Sequence, residues 1–414
     1  MGMNTTPSGE RPHIAFFGRR NTGKSSLVNA IAGQPLSIVS EVKGTTTDPV
    51  YKAMELLPLG PVMLIDTPGL DDEGELGNLR VQKTREVLAK TDIAVIVCEA
   101  RDKLGSGALE LDLISQITER RLPFVVVLNK CDIYKPSAGD IKEIEQKAGA
   151  KVLCVSAAAH DGIQELKEYL SRIVPEDEGS CVLVRDLLQP GELAVLVVPI
   201  DSAAPKGRLI LPQQQVIRDI LEAGAISVVT RETELKQTLD KLGIKPKLVI
   251  TDSQVFEKVS AVTPGDIPLT SFSILFARYK GDLEELMKGA KAIENLKDGD
   301  KVLIAEGCTH HRQCDDIGTV KLPRWLSRYT GKKLEFDFSS GNHFPGNLSD
   351  YKIVIHCGAC MLNRMEMNHR IRTVTGCGVP IVNYGVLIAY MQGILARTTE
   401  PFSKMRKADT FNCV

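Results

Sequence analysis

The chain has 414 residues, of which 43% are hydrophobic and 25% are charged, and its formal net charge is −1. This length and composition predict a folded protein of two or three domains, each large enough to bury a core. A charge balance so close to neutral provides no general attraction to nucleic acid or to an anionic membrane, so we expect neither as a partner.

Ten cysteines are too few for a disulfide-stapled scaffold, and the polar segment before His13 shows no signal-peptide pattern. The longest apolar runs, such as the one at 193–200, are far too short to span a bilayer. We therefore expect a cytoplasmic protein whose residues 1–12 are disordered. In a reducing compartment, clustered cysteines favour metal binding over disulfide formation.

The first predicted strand is the apolar segment His13–Phe17, and the sequence GRRNTGKSS follows it at 18–26. This is the phosphate-binding pattern G-x-x-x-x-G-K-S, placed between a strand and a helix as its function requires. Backbone N–H groups of such a loop surround the phosphates, the lysine reaches the β and γ phosphates, and the serine hydroxyl binds Mg²⁺. The predicted phosphate-binding residues are Gly18, Asn21, Thr22, Gly23, Lys24, Ser25 and Ser26.

A second buried strand at Val62–Ile65 leads into the sequence DTPG at 66–69. Asp66 is expected to hold Mg²⁺ through water, and the amide of Gly69 is expected to sense the γ-phosphate. Residue 70 is Leu, where Ras-like enzymes carry the glutamine that orients water. We therefore expect slow intrinsic hydrolysis, or another group in that role.

Predicted strands at 92–100 and 123–132 come next, and the second ends in the sequence NKCD. The carboxylate of Asp132 can accept from N1–H and the N2 amine of guanine. Adenine lacks this donor pair, so the motif selects GTP over ATP. Asn129 is expected to brace the loop, and the Lys130 stem is expected to pack on the base.

The last strand of this region, at 152–157, supplies Ser156 and Ala157, whose backbone can contact the guanine oxygen. Each predicted strand ends where a ligand-binding loop begins, which is the geometry of an open parallel sheet. The ordered motifs together predict a GTP-binding and GTP-hydrolysing P-loop domain over 13–174.

The segment GTTTDP at 44–49 resembles the G-T-T-R-D switch of translation-factor-related GTPases that act in tRNA modification and ribosome assembly. That resemblance implies that Thr46 is the Mg²⁺-binding switch threonine, with Thr45 as the alternative, and that Asn21 coordinates a stimulating K⁺. An ordinary loop-stabilising role is the alternative for Asn21. The predicted catalytic residues are Lys24, Thr46 and Gly69.

An acidic linker at 175–180 precedes a region of alternating strand and helix patterns that contains no catalytic motif. We assign 181–272 to a structural domain that mediates self-association.

The remaining segment, 273–414, contains two strand-like runs that each end in cysteine and histidine. The first leads into CTHH at 308–311, and the second leads into HCGAC at 356–360. If the strands are parallel, as β–α–β order implies, both clusters lie at the carboxyl edge of one sheet. Three thiolates with an imidazole suit tetrahedral zinc or an iron–sulfur cluster. Plain buried cysteines are the alternative.

A GTPase domain, a middle domain and a C-x-H…H-C-x-x-C domain together resemble the HydF family, the GTPase scaffolds of iron–iron hydrogenase maturation. The likeness covers essentially the whole chain. It implies a 4Fe–4S cluster bound by Cys308, Cys357 and Cys360, with His310 or His356 as the candidate fourth ligand. It also implies a homodimer or higher homo-oligomer that receives a di-iron precursor from radical-SAM maturases and delivers it to apo iron–iron hydrogenase.

The sequence thus predicts an α/β protein in which a P-loop GTPase domain precedes two further α/β domains with mainly parallel sheets. The expected cofactors are GTP, Mg²⁺, K⁺ and a 4Fe–4S cluster. The alternative function is a ribosome- or tRNA-associated GTPase with a C-terminal zinc site, which the near-neutral charge disfavours. A third hypothesis makes the cysteine site a redox sensor that gates the GTPase.

Overall fold

The computed structural model describes residues 6–33, 48–69, 83–101, 108–174, 182–200, 209–307, 316–341 and 344–403. The chain divides into two compact units, 1–178 and 179–414. Among the described residues, no helix combines the length and the apolar character that crossing a bilayer requires.

The first unit is built on one six-stranded sheet. Its strands are β1 (His13–Phe17), β2 (Val50–Leu56), β3 (Gly60–Asp66), β4 (Ile93–Glu99), β5 (Phe124–Asn129) and β6 (Val152–Cys154). Its helices are α1 (Lys24–Ala32), α2 (Ala108–Glu119), α3 (Ala138–Ala148) and α4 (Ile163–Arg172), and a further helical stretch covers 83–89.

The strand order of this sheet is β2-β3-β1-β4-β5-β6, and every pairing except that of β2 with β3 is parallel. β1 and β4 lie in the middle, are buried along almost their whole length and are mostly apolar, because helices cover both faces of a parallel sheet. The parallel strands all point their carboxyl ends to one edge, where the loops that carry the nucleotide motifs begin.

The segment before β1 differs from the disordered N-terminus that we expected over 1–12. Residues 6–12 are ordered, because the guanidinium of Arg11 donates to the carbonyl oxygens of Thr6 at 2.9 Å and Met54 at 3.2 Å. The carbonyl of Pro12 also accepts from the amide of Met63 at 2.9 Å. These contacts attach the segment to the β2–β3 hairpin, which the polar local composition did not reveal. Residues 1–5 lie outside the described residues.

The second unit contains two four-stranded sheets. Their strands are β7 (Leu193–Val197), β8 (Ile226–Thr230), β9 (Leu248–Thr251) and β10 (Leu269–Ser271), then β11 (Lys301–Glu306), β12 (Glu335–Ser340), β13 (Ile353–His356) and β14 (Ile381–Asn383). The strand orders are β10-β9-β7-β8 and β12-β11-β13-β14, and all pairings are parallel. The predicted α/β class with mainly parallel sheets is therefore confirmed.

Most helices of the second unit lie between these strands in the sequence, and the last two follow β14. They are α5 (Leu211–Glu222), α6 (Leu235–Lys241), α7 (Phe256–Val262), α8 (Phe272–Lys280), α9 (Leu283–Lys291), α10 (Leu322–Thr330), α11 (Arg364–Gly376), α12 (Tyr384–Met391) and α13 (Leu395–Ser403).

Helix α8 packs against both sheets of the second unit. Phe272 and Phe276 belong to the apolar cluster of the first of these sheets, whereas Ile274 belongs to the cluster of the second. The side chain of Asn383, at the end of β14, donates to the carbonyl of Ser273 at 2.9 Å. Helix α8 thereby brings the carboxyl ends of the two sheets towards each other.

Candidate functional site

The phosphate-binding loop connects β1 to α1 and closes around the ammonium group of Lys24. This group donates to the carbonyl oxygens of Gly18 at 2.8 Å and Arg19 at 2.6 Å. The hydroxyl of Thr22 also donates to the carbonyl of Arg19, at 3.0 Å. The guanidinium of Arg19 points the other way and pairs with the carboxylate of Glu110 on α2, with Nε 2.5 Å from Oε1.

Two glycines of this loop occupy positions where no side chain fits. Gly18 has φ of +151° and Gly23 has φ of +87°. A Cβ atom would lie 2.2 Å from the carbonyl oxygen of Val97 in the first case and 2.3 Å from Nδ2 of Asn129 in the second. The loop therefore needs glycine at both ends of the motif.

The two described residues that were predicted to hold Mg²⁺ lie in contact. Ser25 is in the first turn of α1, and its hydroxyl donates to Oδ2 of Asp66 at 2.6 Å. Asp66 is 2% exposed and lies at the end of β3, opposite Phe16 of β1. Hydroxyl and carboxylate oxygens are suitable Mg²⁺ ligands. Thr46, the third predicted ligand, and its alternative Thr45 lie outside the described residues.

The other predicted residues near the phosphates lie on the same loops. Gly69 is half-buried and follows β3, and the hydroxyl of Thr67 ties this loop to the carbonyl of Phe16 at 2.6 Å. Asn21 is exposed and has φ of +59°, a left-handed conformation that few residues other than glycine adopt. Ser26 is half-buried in α1. The K⁺-binding role of Asn21 stays a prediction.

The guanine-specificity residues are joined to the phosphate loop by one side chain. Nδ2 of Asn129 donates to the carbonyl of Thr22 at 2.9 Å, and its Oδ1 accepts from the amide of Ala157 at 3.0 Å. The hydroxyl of Ser156 donates to Oδ1 of Asp132 at 2.6 Å. Three loops that lie far apart in the sequence are thereby held in one arrangement.

Lys130 lies between these residues, with φ of +67°. Its ammonium group is 3.1 Å from Oε2 of Glu99, the last residue of β4. Because β4 and β5 are neighbours, this ion pair lies at the same carboxyl edge as the other motif residues. The described motif residues of the nucleotide site thus meet at one edge of the sheet.

In the second unit, Cys357 lies at the carboxyl edge of a sheet, just after β13. Its sulfur accepts from the amide of Gly307 at 3.1 Å and from the amide of Ala359 at 3.4 Å. Amide donors favour the thiolate over the thiol, and the thiolate is the form that binds metal. Gly307 directly precedes Cys308 in the sequence, but Cys308 and His310 lie outside the described residues.

Cys360 lies in the same loop and has different neighbours. Cys357 packs against the apolar cluster of the sheet that contains β13, whereas Cys360 packs against the cluster that contains Phe276. Burial raises the pKa of the Cys360 thiol, and the nearby ammonium of Lys280 opposes that increase. The positive charge of Lys280 therefore favours the deprotonated sulfur.

His356 is fully buried, and both of its ring nitrogens are in hydrogen bonds. Nδ1 is 3.0 Å from the carbonyl of Cys357, and Nε2 is 3.1 Å from Nη1 of Arg370. Because arginine can only donate, Nε2 accepts and Nδ1 carries the proton. Burial and the charge of Arg370 lower the pKa of His356 to about 3, so its ring is neutral. To bind iron, His356 would have to give up one of these contacts, and its role as fourth ligand stays a prediction.

Arg370 connects two loops beneath the cysteines. It is 2% exposed, and its Nη2 donates to Oε1 of Glu366 at 2.6 Å and to the carbonyl of Gly341 at 2.8 Å. Gly341 follows β12, and His356, which Arg370 also contacts, ends β13. One side chain of α11 therefore holds the loops of two strands in place.

The described residues around Cys357 do not by themselves complete a metal site. No three His, Cys, Asp or Glu side chains in the described parts of the chain are arranged to hold a metal ion. The donors present are two thiols. Backbone amides stabilise the thiolate of Cys357, whereas burial raises the pKa of Cys360 despite the nearby ammonium of Lys280. The chemistry fits an iron–sulfur cluster, whose ligands are cysteine thiolates.

Two family models match adjacent segments of the second unit. Residues 183–281 match the Hydrogen maturase F dimerization domain, and residues 284–401 match the Hydrogen maturase F tetramerization domain. Together these matches span more than half of the chain. The chain belongs to the HydF family. Residues 13–130 of this HydF-family chain match a model described as 50S ribosome-binding GTPase, in agreement with the predicted GTPase domain.

Several curated proteins are similar to part of this HydF-family chain. The tRNA modification GTPase MnmE of Chromobacterium violaceum is 32% identical over 166 residues, which cover 40% of this chain and 35% of that protein. GTPase Der of Sulfurimonas denitrificans is 32% identical over 171 residues, which cover 39% and 34%. The chain thus spans only about a third of the length of these relatives.

Solved structures show weaker likenesses. Era of Aquifex aeolicus, bound to GDP and AlF4⁻, aligns with a TM-score of 0.37 at 20% identity, over 56% of this chain and 98% of that one. The FeoB G-domain of Methanococcus jannaschii aligns with a TM-score of 0.31 at 27% identity, over 40% and 99%.

Sequence reasoning missed the charged residues that surround the cysteines of this HydF-family chain. Lys280, Arg370 and Glu366 are all buried, although such side chains are normally exposed. Glu366 and Arg370 are four residues apart on one helix, which was the one local signal for their ion pair. Lys280 lies 80 positions before Cys360, and the residues next to it in the sequence do not indicate that its ammonium group donates to the carbonyl of Cys360.

Proposed function

We propose that this chain is a GTP-hydrolysing scaffold that binds a 4Fe–4S cluster and assembles or delivers the di-iron precursor of the active site to apo iron–iron hydrogenase. The observation that carries the proposal is the pair of adjacent hydrogen maturase F domains, at 183–281 and 284–401, behind a GTPase domain. The placement of Cys357 at the carboxyl edge of a sheet, in contact with Gly307, supports it.

In the first unit, the residues of the nucleotide motifs bind GTP. They also stabilise the charge that develops as the γ-phosphoryl group is transferred to water. Lys24 contacts the β and γ phosphates, and Gly69 contacts the γ-phosphate through its amide. Ser25 and Asp66, which are in contact, would help hold Mg²⁺, and the ion would supply positive charge that offsets the charge on the phosphates. The metal and base contacts are made by Ser25, Thr46 and Asp66 for Mg²⁺, by Asn21 for K⁺, and by Asn129, Lys130, Asp132, Ser156 and Ala157 for guanine.

In the second unit, Cys308, Cys357 and Cys360 hold the cluster, and His310 or His356 is the candidate fourth ligand. With three cysteine ligands and an exchangeable fourth ligand, such a cluster would leave one iron accessible to a fragment in transit. The amide of Gly307, the residue before Cys308 in the sequence, donates to the sulfur of Cys357.

We also infer that the chain self-associates through the domain at 181–272 and that the cluster domain occupies 273–414. The strand β8 is an edge of its sheet, and Ile226 and Val229 on it are 47% and 46% exposed. An apolar edge strand is a template for pairing with another chain. The match of 183–281 to a dimerization domain supports a second copy as the partner. Radical-SAM maturases and the apo-hydrogenase are the further proposed partners.

Anaerobic purification tests the proposed function. We expect a brown protein that contains iron and acid-labile sulfide. When the maturases are present, adding this purified protein should stimulate the activation of apo-hydrogenase. A colourless protein with one equivalent of zinc per chain would contradict the proposal. It would instead favour a ribosome- or tRNA-associated GTPase with a zinc site.

A further inference from the structure

Lys280 makes an unusual contact between the two sheets of the second unit. It is the last residue of α8 and falls within the dimerization-domain match. Its ammonium group nevertheless donates to the carbonyl oxygens of Cys360 at 3.1 Å and Leu362 at 2.8 Å, which lie in the tetramerization-domain match. The residue is 1% exposed, and its charge lies 5.4 Å from the ring centroid of Phe276.

Burial of an ammonium group is costly, because the charge loses its hydration. The interaction of such a charge with its neighbours is also stronger than at the surface, since apolar side chains screen it less than water does. Lys280 therefore acts on the C-x-x-C loop in two ways. It fixes the backbone of residues 360–362, and it adds positive potential next to the sulfur of Cys360.

Among the described residues, Arg370 is the other buried cation near this loop, and it forms an ion pair on its own helix. Its guanidinium forms an ion pair with Glu366 at 2.6 Å, so much of its positive potential is cancelled locally. The contacts of Lys280 with the cysteine loop are to neutral carbonyl oxygens. Of the two cations, Lys280 is the one that donates to the backbone of Cys360 and Leu362.

We propose that Lys280 is a positioning residue for the cluster loop, and that its buried charge raises the reduction potential of the iron–sulfur cluster bound there. The inference rests on the proposed function. Three thiolates give the cluster a net negative charge, and reduction adds one electron to it, so a nearby cation stabilises the reduced state more than the oxidised state. A residue of the dimerization domain would thereby tune a cluster bound in the neighbouring domain.

The test uses the full-length chain, loaded anaerobically with iron and sulfide. Lys280→Gln removes the charge and keeps a hydrogen-bond donor, Lys280→Met removes both, and Lys280→Arg keeps the charge. Lys288→Gln is the matched control, since its side chain is 70% exposed on α9 and pairs with Glu285 at 3.1 Å. Iron per chain is measured, and the midpoint potential is taken from a redox titration followed by electron paramagnetic resonance.

We expect Lys280→Gln and Lys280→Met to lower the ratio of reduced to oxidised cluster at a fixed potential by about tenfold. For a one-electron couple, this corresponds to a midpoint that is about 59 mV more negative. Lys280→Arg and Lys288→Gln should stay close to the wild-type potential. A merely structural role for Lys280 would lower the iron content without this dependence on charge.

Three results would overturn the inference. One is a Lys280→Gln variant that is fully loaded with iron and has the wild-type midpoint potential. Another is a Lys288→Gln variant whose midpoint potential shifts as much as that of Lys280→Gln. If the uncharged variants lose all iron, Lys280→Arg decides: retention of iron and potential supports the charge effect, and loss of iron refutes it. A wild-type chain that takes up no iron refutes the proposed function itself, which separates the two failures.

Discussion

The nucleotide site and the cysteine site both lie at the carboxyl edges of parallel sheets, but different parts of the chain hold them together. In the nucleotide site, motif residues contact one another directly, as Ser25 contacts Asp66 and as Asn129 contacts both Thr22 and Ala157. In the cysteine site, the sulfur of Cys357 contacts backbone amides. Residues that belong to no motif hold its loop.

The difference follows from what each ligand requires. A phosphate group is bound largely by backbone N–H groups, and a short glycine-containing motif suffices to arrange them. A cluster bound by thiolates needs deprotonated sulfur, and deprotonated sulfur in a half-buried loop needs compensating charge. In the proposed cluster site, that charge comes from Lys280 at the end of α8, which no spacing rule connects with the cysteines. Changes in the two sites should therefore be separable.

The largest expected effect is that of Lys24→Ala on GTP turnover. Loss of the ammonium group removes a stabilising charge from the transferred phosphoryl group and should slow turnover by about 10²- to 10³-fold. The measurement is phosphate release under saturating GTP. Lys147→Ala is the control, because Lys147 is half-exposed on α3 and pairs only with nearby charges such as Glu143. Iron content should remain at the wild-type value, and its loss would contradict the separation of the two sites.

The converse change is Cys357→Ala, or Cys308→Ala, in the cysteine site. Removal of a ligand should weaken iron binding by at least about a hundredfold, since even the loss of an outer-shell partner costs 10- to 100-fold. GTP turnover should be unaffected. Iron and sulfide analysis after anaerobic loading measures the effect, with Cys377→Ala as the control because that thiol is exposed at the end of α11. A fully loaded Cys357→Ala would remove this residue from the ligand set.

Arg370→Met should lower the free energy of unfolding of the second unit. The change leaves Glu366 buried without its guanidinium partner and removes the donor to His356, which should cost about 3 kcal/mol. Urea unfolding of the apo-protein measures it, with Arg372→Met, an exposed arginine of the same helix, as control. Equal stability of the two variants would show that the buried network contributes nothing to the fold.

The smallest expected effect is that of exchanging K⁺ for Na⁺ during GTP hydrolysis. If Asn21 coordinates K⁺, turnover should fall about fivefold, the equivalent of one polar contact worth about 1 kcal/mol. Turnover assays at constant ionic strength measure it. Asn21→Ala should lose the difference between the two ions, and a wild-type chain with equal rates in both salts would remove the role from Asn21.

The strands that sequence reasoning located and those that it missed differ in burial. β1, β4, β5 and β13 are covered on both faces and appear as apolar runs. β2 and β12 are largely exposed edge strands with mixed composition, and neither was predicted. An exposed edge strand adopts its extended conformation because a neighbouring strand pairs with it. Its own sequence therefore gives little indication that it is a strand.

The sequence by itself determined the α/β class, the order of the nucleotide motifs and the likeness to the HydF family, because these depend on contiguous residues whose backbone chemistry is local. Only the tertiary structure showed that Asn129 joins three loops and that Lys280 and Arg370 hold the cysteine loop. It also showed that both ring nitrogens of His356 are in hydrogen bonds. Such contacts join side chains that are distant in the chain, and the packing of elements around α8 and α11 decides which charges become buried.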